Sequence, residues 1–177
     1  IVAPDGVVLA NPIDLQCTVF DIAVDRDGLV LAACKNGPIK KVLRDGSLET
    51  RGSYAPGCSN YFSYSDPTGL TVLEDGSILV ADGQCHRLRK ILPNDTMAVI
   101  SGTGLPGSGG DGEAPLSAQL DTPSDVIQTP DGQIFVADTG NQKIRRVFKV
   151  RPVIPTLDDN HLVAIDGKLL LFNEQLQ

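Results

Sequence analysis

The chain has 177 residues and a formal net charge of −7, with 15 Lys and Arg against 22 Asp and Glu. Its 41% apolar content is that of a folded domain, not a disordered tract, and no run approaches the ~18 apolar residues of a membrane-spanning helix. Phosphate-backbone binders carry basic stripes, whereas the basic residues here alternate with apolar ones in KKVLR and IRRVFKV, so neither nucleic acid nor membrane insertion is expected.

In chain order, IVAPDGVVLAN opens the sequence with an Asp5-Gly6 turn between short apolar runs, and with neither the basic nor the apolar region of a signal peptide. Then come FDIAV, the turn Asp27-Gly28, LVLAAC, PIKKV, the turn Asp45-Gly46 and SLETR. The same order returns as TGLTV, Asp75-Gly76, SILVAD, HRLRKI, Asn94-Asp95 and TMAVIS. A glycine-rich stretch, GTGLPGSGGDGEAPLSAQL, precedes SDVIQ, Asp131-Gly132, QIFVAD and KIRRV. The chain ends with NHLVAIDGKLLLFN. Each run has strand length and is bounded by turn residues, and Asp-Gly supplies the positive φ that closes hairpins. The expected class is all-β.

Gly28, Gly76 and Gly132 coincide in the three copies, as do Ile39, Leu88 and Ile144. Cys34 falls where Asp82 and Asp138 stand. Spacings of 48 and 56 residues between the turn glycines mark a repeat architecture. Four antiparallel strands per unit make a propeller blade, which must stack on neighbours because it cannot bury both faces alone. The chain resembles the NHL-repeat β-propellers, most clearly over Gly102 to Val147, where the glycine-rich loop, SAQL, the Asp-Gly turn and VADTGNQKIR succeed one another. On this reading residues 1–11 are a half blade, 12–52, 53–104 and 105–157 are blades, and 158–177 is another half blade. The halves either complete one composite blade or belong to a larger ring.

The recurring carboxylates Asp82 and Asp138 look catalytic, but a motif stamped once per blade reads better as structure. Asp138 with Asn141 and Arg145, and Asp82 with Arg87 and Arg89, are expected to pin each B–C hairpin. Replacing either Asp by Ala is expected to lower stability by roughly 1–3 kcal/mol. GSGGDG (Gly107–Gly112) matches G-x-G-x-x-G, yet it leads into a β hairpin rather than a helix, so no dinucleotide is expected. Asp111 and Glu113 are conceivable calcium ligands. His86 and His161 are too few for a His-based zinc site, no cysteines form C-x-x-C, and no spacing suggests a Ser-His-Asp triad.

Cys17, Cys34, Cys58 and Cys85 are an even, widely spaced set, which fits disulfides in an oxidising compartment. In a four-stranded meander the B–C loop and the entry to strand A share a face, so repeat logic favours Cys17–Cys34 and Cys58–Cys85, with Cys34–Cys58 as the alternative. Asn94, in NDT, is the N-glycosylation acceptor expected of a secreted chain. The leading functional expectation is a non-enzymatic extracellular module presenting loops to a protein or glycan, or to further blades or copies completing the ring. Alternatives are a hydrolase or lyase with a metal in the central channel, and a cytosolic scaffold for protein or RNA.

Overall fold

The computed structural model describes residues 13–52 and 66–148, and the backbone of two strands, 161–165 and 168–172. Strands β1 (Val19–Val24), β2 (Val30–Cys34), β3 (Ile39–Val42) and β4 (Leu48–Arg51) form one antiparallel meander. Strands β5 (Pro67–Val72), β6 (Ile78–Asp82), β7 (Arg87–Ile91) and β8 (Met97–Ser101) form the second. Strands β9 (Pro123–Gln128), β10 (Ile134–Asp138) and β11 (Lys143–Val147) form the third. A separate hairpin joins β12 (His161–Ile165) to β13 (Lys168–Phe172). This is a β-propeller fold of stacked blades, with β1, β5 and β9 side by side as the innermost strands. The expected half blade 1–11 and the fourth strand of the third blade lie outside the described residues.

The A–B turns repeat bond for bond. Gly28 N–H reaches Asp25 O at 3.0 Å while Asp25 N–H reaches Leu29 O at 2.9 Å, and the pairs at Leu73–Ser77 and Thr129–Gln133 do the same. Gly28, Gly76 and Gly132 have φ of +75°, +78° and +85°, which only glycine adopts freely. The loops are therefore three residues long, a turn ending in a left-handed glycine, rather than two-residue hairpins closed by Asp-Gly alone. The C–D turn of blade one obeys the same rule with Gly46, but in blade two Asp95 takes that position at φ +63°. Its carboxylate accepts from Arg51 Nε at 2.7 Å and Gly52 N–H at 3.2 Å, tying blade two to the last strand of blade one. Burial opposes ionisation of Asp95, but the Arg51 and Gly52 bonds and the Arg51 charge together outweigh it and hold the carboxyl below its usual range.

Side-chain alternation along the strands sends one set of each blade's residues to the preceding blade and the other to the following one. Leu31, Ala33 and Ile39 of blade one thus meet Leu70, Ile78, Val80 and Ile91 of blade two in one core. Leu73, Leu79, Ala81 and Leu88 of blade two meet Leu120, Val126 and Val136 of blade three in a second. The innermost strands approach closely at Gly69, where an added Cβ would stand 2.6 Å from Ser124 O and 2.7 Å from Asp125 Cα. Across the other junction the equivalent residue, Asp21, accepts twice through its carboxylate: Ile22 N–H at 2.8 Å on Oδ1 and Leu70 N–H at 2.8 Å on Oδ2.

Candidate functional site: a clasp in each blade and the loop face beside it

At the end of the second strand of each blade, one side chain reaches back to the segment entering the first strand. Asp82 Oδ1 accepts the N–H groups of Asp66 (3.1 Å) and Cys85 (3.2 Å), and its Oδ2 accepts from Arg89 Nε at 2.7 Å. Asp138 Oδ1 accepts Asp121 N–H at 2.7 Å, and its Oδ2 accepts from Asn141 Nδ2 (2.8 Å) and Arg145 Nη1 (3.4 Å). Both carboxylates are fully buried. In blade one the same place holds Cys34, disulfide-bonded to Cys17 with Cα atoms 5.6 Å apart. The bond spans 17 residues, and the Asp82–Asp66 and Asp138–Asp121 bonds span 16 and 17. The disulfide is thus a covalent version of the carboxylate clasp. Cys85, one turn beyond Asp82, is also disulfide-bonded; its expected partner Cys58 lies outside the described residues.

The basic partner of Asp82 is Arg89 alone. Arg87, expected beside it, sends Nη2 to Thr103 O at 3.0 Å. It stands at the strand's start, opposite Asp82, whereas Arg89 stands two residues further on, opposite Val80. Arg145 does more than its counterpart Arg89. It donates to Gln119 O (2.5 Å) and Gly109 O (3.1 Å) and pairs with Asp111 at 2.5 Å, while Asn141 also donates to Gly107 O at 2.7 Å. The stretch Gly107–Gly112 is therefore fastened onto blade three. It leads into a three-residue 3-10 turn, Pro115–Ser117, and not into the α-helix a pyrophosphate would need. Asp111 is committed to Arg145, and Glu113 is exposed with its N–H on Gly110 O. No group of three or more His, Cys, Asp or Glu converges among the described residues.

The clasps define one rim of the propeller, built from entry segments and the turns between second and third strands. His86 and Gln142 occupy equivalent left-handed turn positions (φ 51° and 55°), and Asn36 is left-handed (φ 51°) in the shorter turn of blade one. Each of the two described junctions uses this turn: Asn36 N–H donates to Asp66 Oδ1 at 2.9 Å, and His86 Nδ1 accepts Thr122 N–H at 3.1 Å. An acceptor Nδ1 places the His86 proton on Nε2. Asp121 Oδ1 lies 3.4 Å from the same Nδ1, so His86 acts as a junction bond rather than as a base held by a carboxylate. Gln84, Thr139 and Gln142 stand exposed on this rim, as do Leu105 and Ser108 of the glycine-rich loop. The junction role of His86 was missed by motif reading, because its ring contact belongs to one junction and is not repeated in the other described blades. On the opposite rim, a cleft of about 800 Å³ between blades two and three is lined by Leu73, Leu79, Ile100, Leu116, Ile134 and Phe148. Asn94 is exposed there on the C–D turn, with Oδ1 accepting Thr96 N–H at 3.1 Å.

No protein-family model matches the chain. It is 35% identical over 82 residues to Suppressor of quenching 1, chloroplastic, of Arabidopsis thaliana, a match covering 46% of this chain and 8% of that protein. It is 30% identical over 123 residues to human Teneurin-4, covering 60% of this chain and 4% of that protein. The chain thus spans under a tenth of the curated relatives it matches. Among solved structures, a streptogramin B lyase superposes with a TM-score of 0.58 at 16% identity, covering 82% of this chain and 42% of that one. A putative gluconolactonase superposes with a TM-score of 0.53 at 13% identity, covering 85% and 47%. A Bacteroides thetaiotaomicron protein of unknown function gives 0.57 at 24% identity, covering 68% and 32%. At these identities the likeness establishes the fold, and lyases, lactonase-like proteins and binding proteins all share it.

Proposed function

We propose that this chain is part of an NHL-type propeller serving as a non-enzymatic interaction module outside the reducing cytosol, with its loop rim offered to a protein or a glycan. The observation that carries the reading is the Cys17–Cys34 bond in the clasp position of blade one. A bond doing the same work as a buried carboxylate is a structural staple, and structural disulfides persist in oxidising compartments. The repeated Asp82 and Asp138 support a binding role in their turn: each is fully buried and engaged by its own blade. Facing solvent on the loop rim are Lys35, Asn36, Gln84, Thr139, Gln142 and the glycine-rich loop with its Leu105, a mainly polar surface with one apolar anchor suited to recognition on a rigid scaffold.

Two measurements test this. Alkylation of the unreduced native protein, read by intact mass, should show no modified thiol at Cys17 or Cys34; full alkylation would favour the cytosolic-scaffold reading. The immobilised chain should then be screened against a glycan array and a panel of cell-surface ectodomains. Gln84→Ala with Gln142→Ala should weaken any binding at unchanged melting temperature. Binding indifferent to that pair would refute the loop rim as the contact. Chelator-sensitive hydrolysis of a lactone would replace the reading with metal chemistry in the central channel.

A further inference from the structure

The repeat equates positions across blades, and burial agrees with the equation wherever two described blades meet. Leu88 of blade two, which faces blade three, is fully buried; its equivalent in blade three, Ile144, is 80% exposed. Thr71 of blade two seals its junction by donating to Val126 O at 2.6 Å, and its equivalent Ile127 is 50% exposed. Leu79 is fully buried in the second core, and its equivalent Phe135 is half-buried. The outward face of blade three is therefore laid out as a third inter-blade core. A polar key goes with it. Asp125 is the equivalent of Asp21, and like Asp21 it caps the next N–H with Oδ1, here Val126 at 2.8 Å. In Asp21 the second oxygen accepts Leu70 N–H from the neighbouring inner strand; Asp125 Oδ2 has no partner among the described residues.

We infer that the β12–β13 hairpin docks on this face, with β12 as the inner strand and a backbone N–H of β12 on Asp125 Oδ2. Eight of the ten residues in HLVAI and KLLLF are apolar, a composition suited to a hairpin covered on both sides. It is an antiparallel pair of two five-residue strands, the inner half of a blade. The thirteen residues from Phe148 to Asn160 reach roughly 40 Å when extended, several times the ~10 Å between packed sheets. A second copy offering its own β1 is the weaker occupant, because Ile22 N–H, the donor at the matching position, is already capped by Asp21 Oδ1 at 2.8 Å.

The test is hydrogen exchange on the full-length monomer, with Ile144→Asp and Asp125→Ala as perturbations and β5–β8 as the internal control for folding. Amides of 161–165 should exchange slowly in the unmodified chain. Ile144→Asp should accelerate them at least ~10-fold and Asp125→Ala more modestly, with β5–β8 unchanged. Exchange of 161–172 at unstructured rates would overturn the docking. So would protection that ignores Ile144→Asp, or that appears only at concentrations where the mass doubles, which would give the face to a second copy.

Discussion

Removing the clasp carboxylate should have unequal consequences in blades two and three, and the inequality stems from what each arginine keeps. In Asp82→Ala, Arg89 remains 4% exposed. Its other hydrogen-bond contact is Met97 Sδ at 3.9 Å, and its Nη2 already has no partner. A guanidinium stranded in this way costs about 3–5 kcal/mol. In Asp138→Ala, Arg145 keeps Gln119 O, Gly109 O and Asp111, so the loss is confined to the bonds made by Asp138, about 1–3 kcal/mol. The sequence alone predicted that lower range for both. For a chain of this size each kcal/mol is worth roughly 2–4 °C, so Asp82→Ala should lower Tm by roughly 6–20 °C and Asp138→Ala by distinctly less. Urea titrations of the two variants should differ by about 2 kcal/mol, and Asp82→Ala with Arg89→Met should recover part of the loss by removing the buried charge. Equal losses in the two blades, or no recovery in the double variant, would refute the reasoning.

Reducing Cys17–Cys34, or replacing both by Ser, removes a 17-residue loop closure worth about 3 kcal/mol in the chain-entropy model; proteolysis near Val19–Val24 under reducing conditions should rise accordingly. Expressed through a eukaryotic secretory pathway, the chain should carry one glycan removable by Asn94→Gln, since Asn94 is exposed; an unmodified Asn94 would count against secretion. Acid should destabilise the fold. Asp75, whose carboxylate accepts Ser77 N–H and pairs with Lys90, and Asp25, where the effect of burial is outweighed by Lys41 together with the Leu29 and Asp27 N–H groups, both have lowered pKa values. A lowered folded-state pKa means the unfolded chain binds more protons in that range, so this stability is present above about pH 4 and is lost as pH falls through the folded values. Thermal melts should be level, as far as these groups contribute, from about pH 7 to 5 and decline below about 4.

Turn positions and the identity of the clasp residues were legible because each is written several times. A single FDIAV could be a strand or a buried turn of helix; three such runs at fixed distance from Gly28, Gly76 and Gly132 leave one reading. Which arginine meets Asp82 was harder, since alternation puts Arg87 and Arg89 on the same side of β7 and the two differ only in how far along the strand they stand. Features written once were not legible. Asp95 in a left-handed turn reads as a poor substitute for glycine until Arg51, 44 residues earlier, is seen on its carboxylate. Thr122 at φ +46° and the ring of His86 depend on one junction and have no counterpart to reveal them.

The clasp also explains why one fold position holds two unrelated chemistries. The requirement is mechanical: the end of the second strand must be tied to the chain entering the first, across 16 or 17 residues. A buried carboxylate meets it by accepting N–H groups, but then needs a cation, which is why Arg89 and Arg145 stand seven residues further on in each case. Cys34 needs no cation, and Lys40, which stands opposite β2 where Arg89 stands opposite β6, donates instead to Leu15 O in the entry segment at 2.5 Å. The exchange of Asp for Cys thus goes with a basic residue that holds the entry segment by its backbone instead of neutralising a carboxylate. The three blades share one backbone plan while differing in what closes the clasp: a disulfide in the first, and a buried charge pair in the second and third.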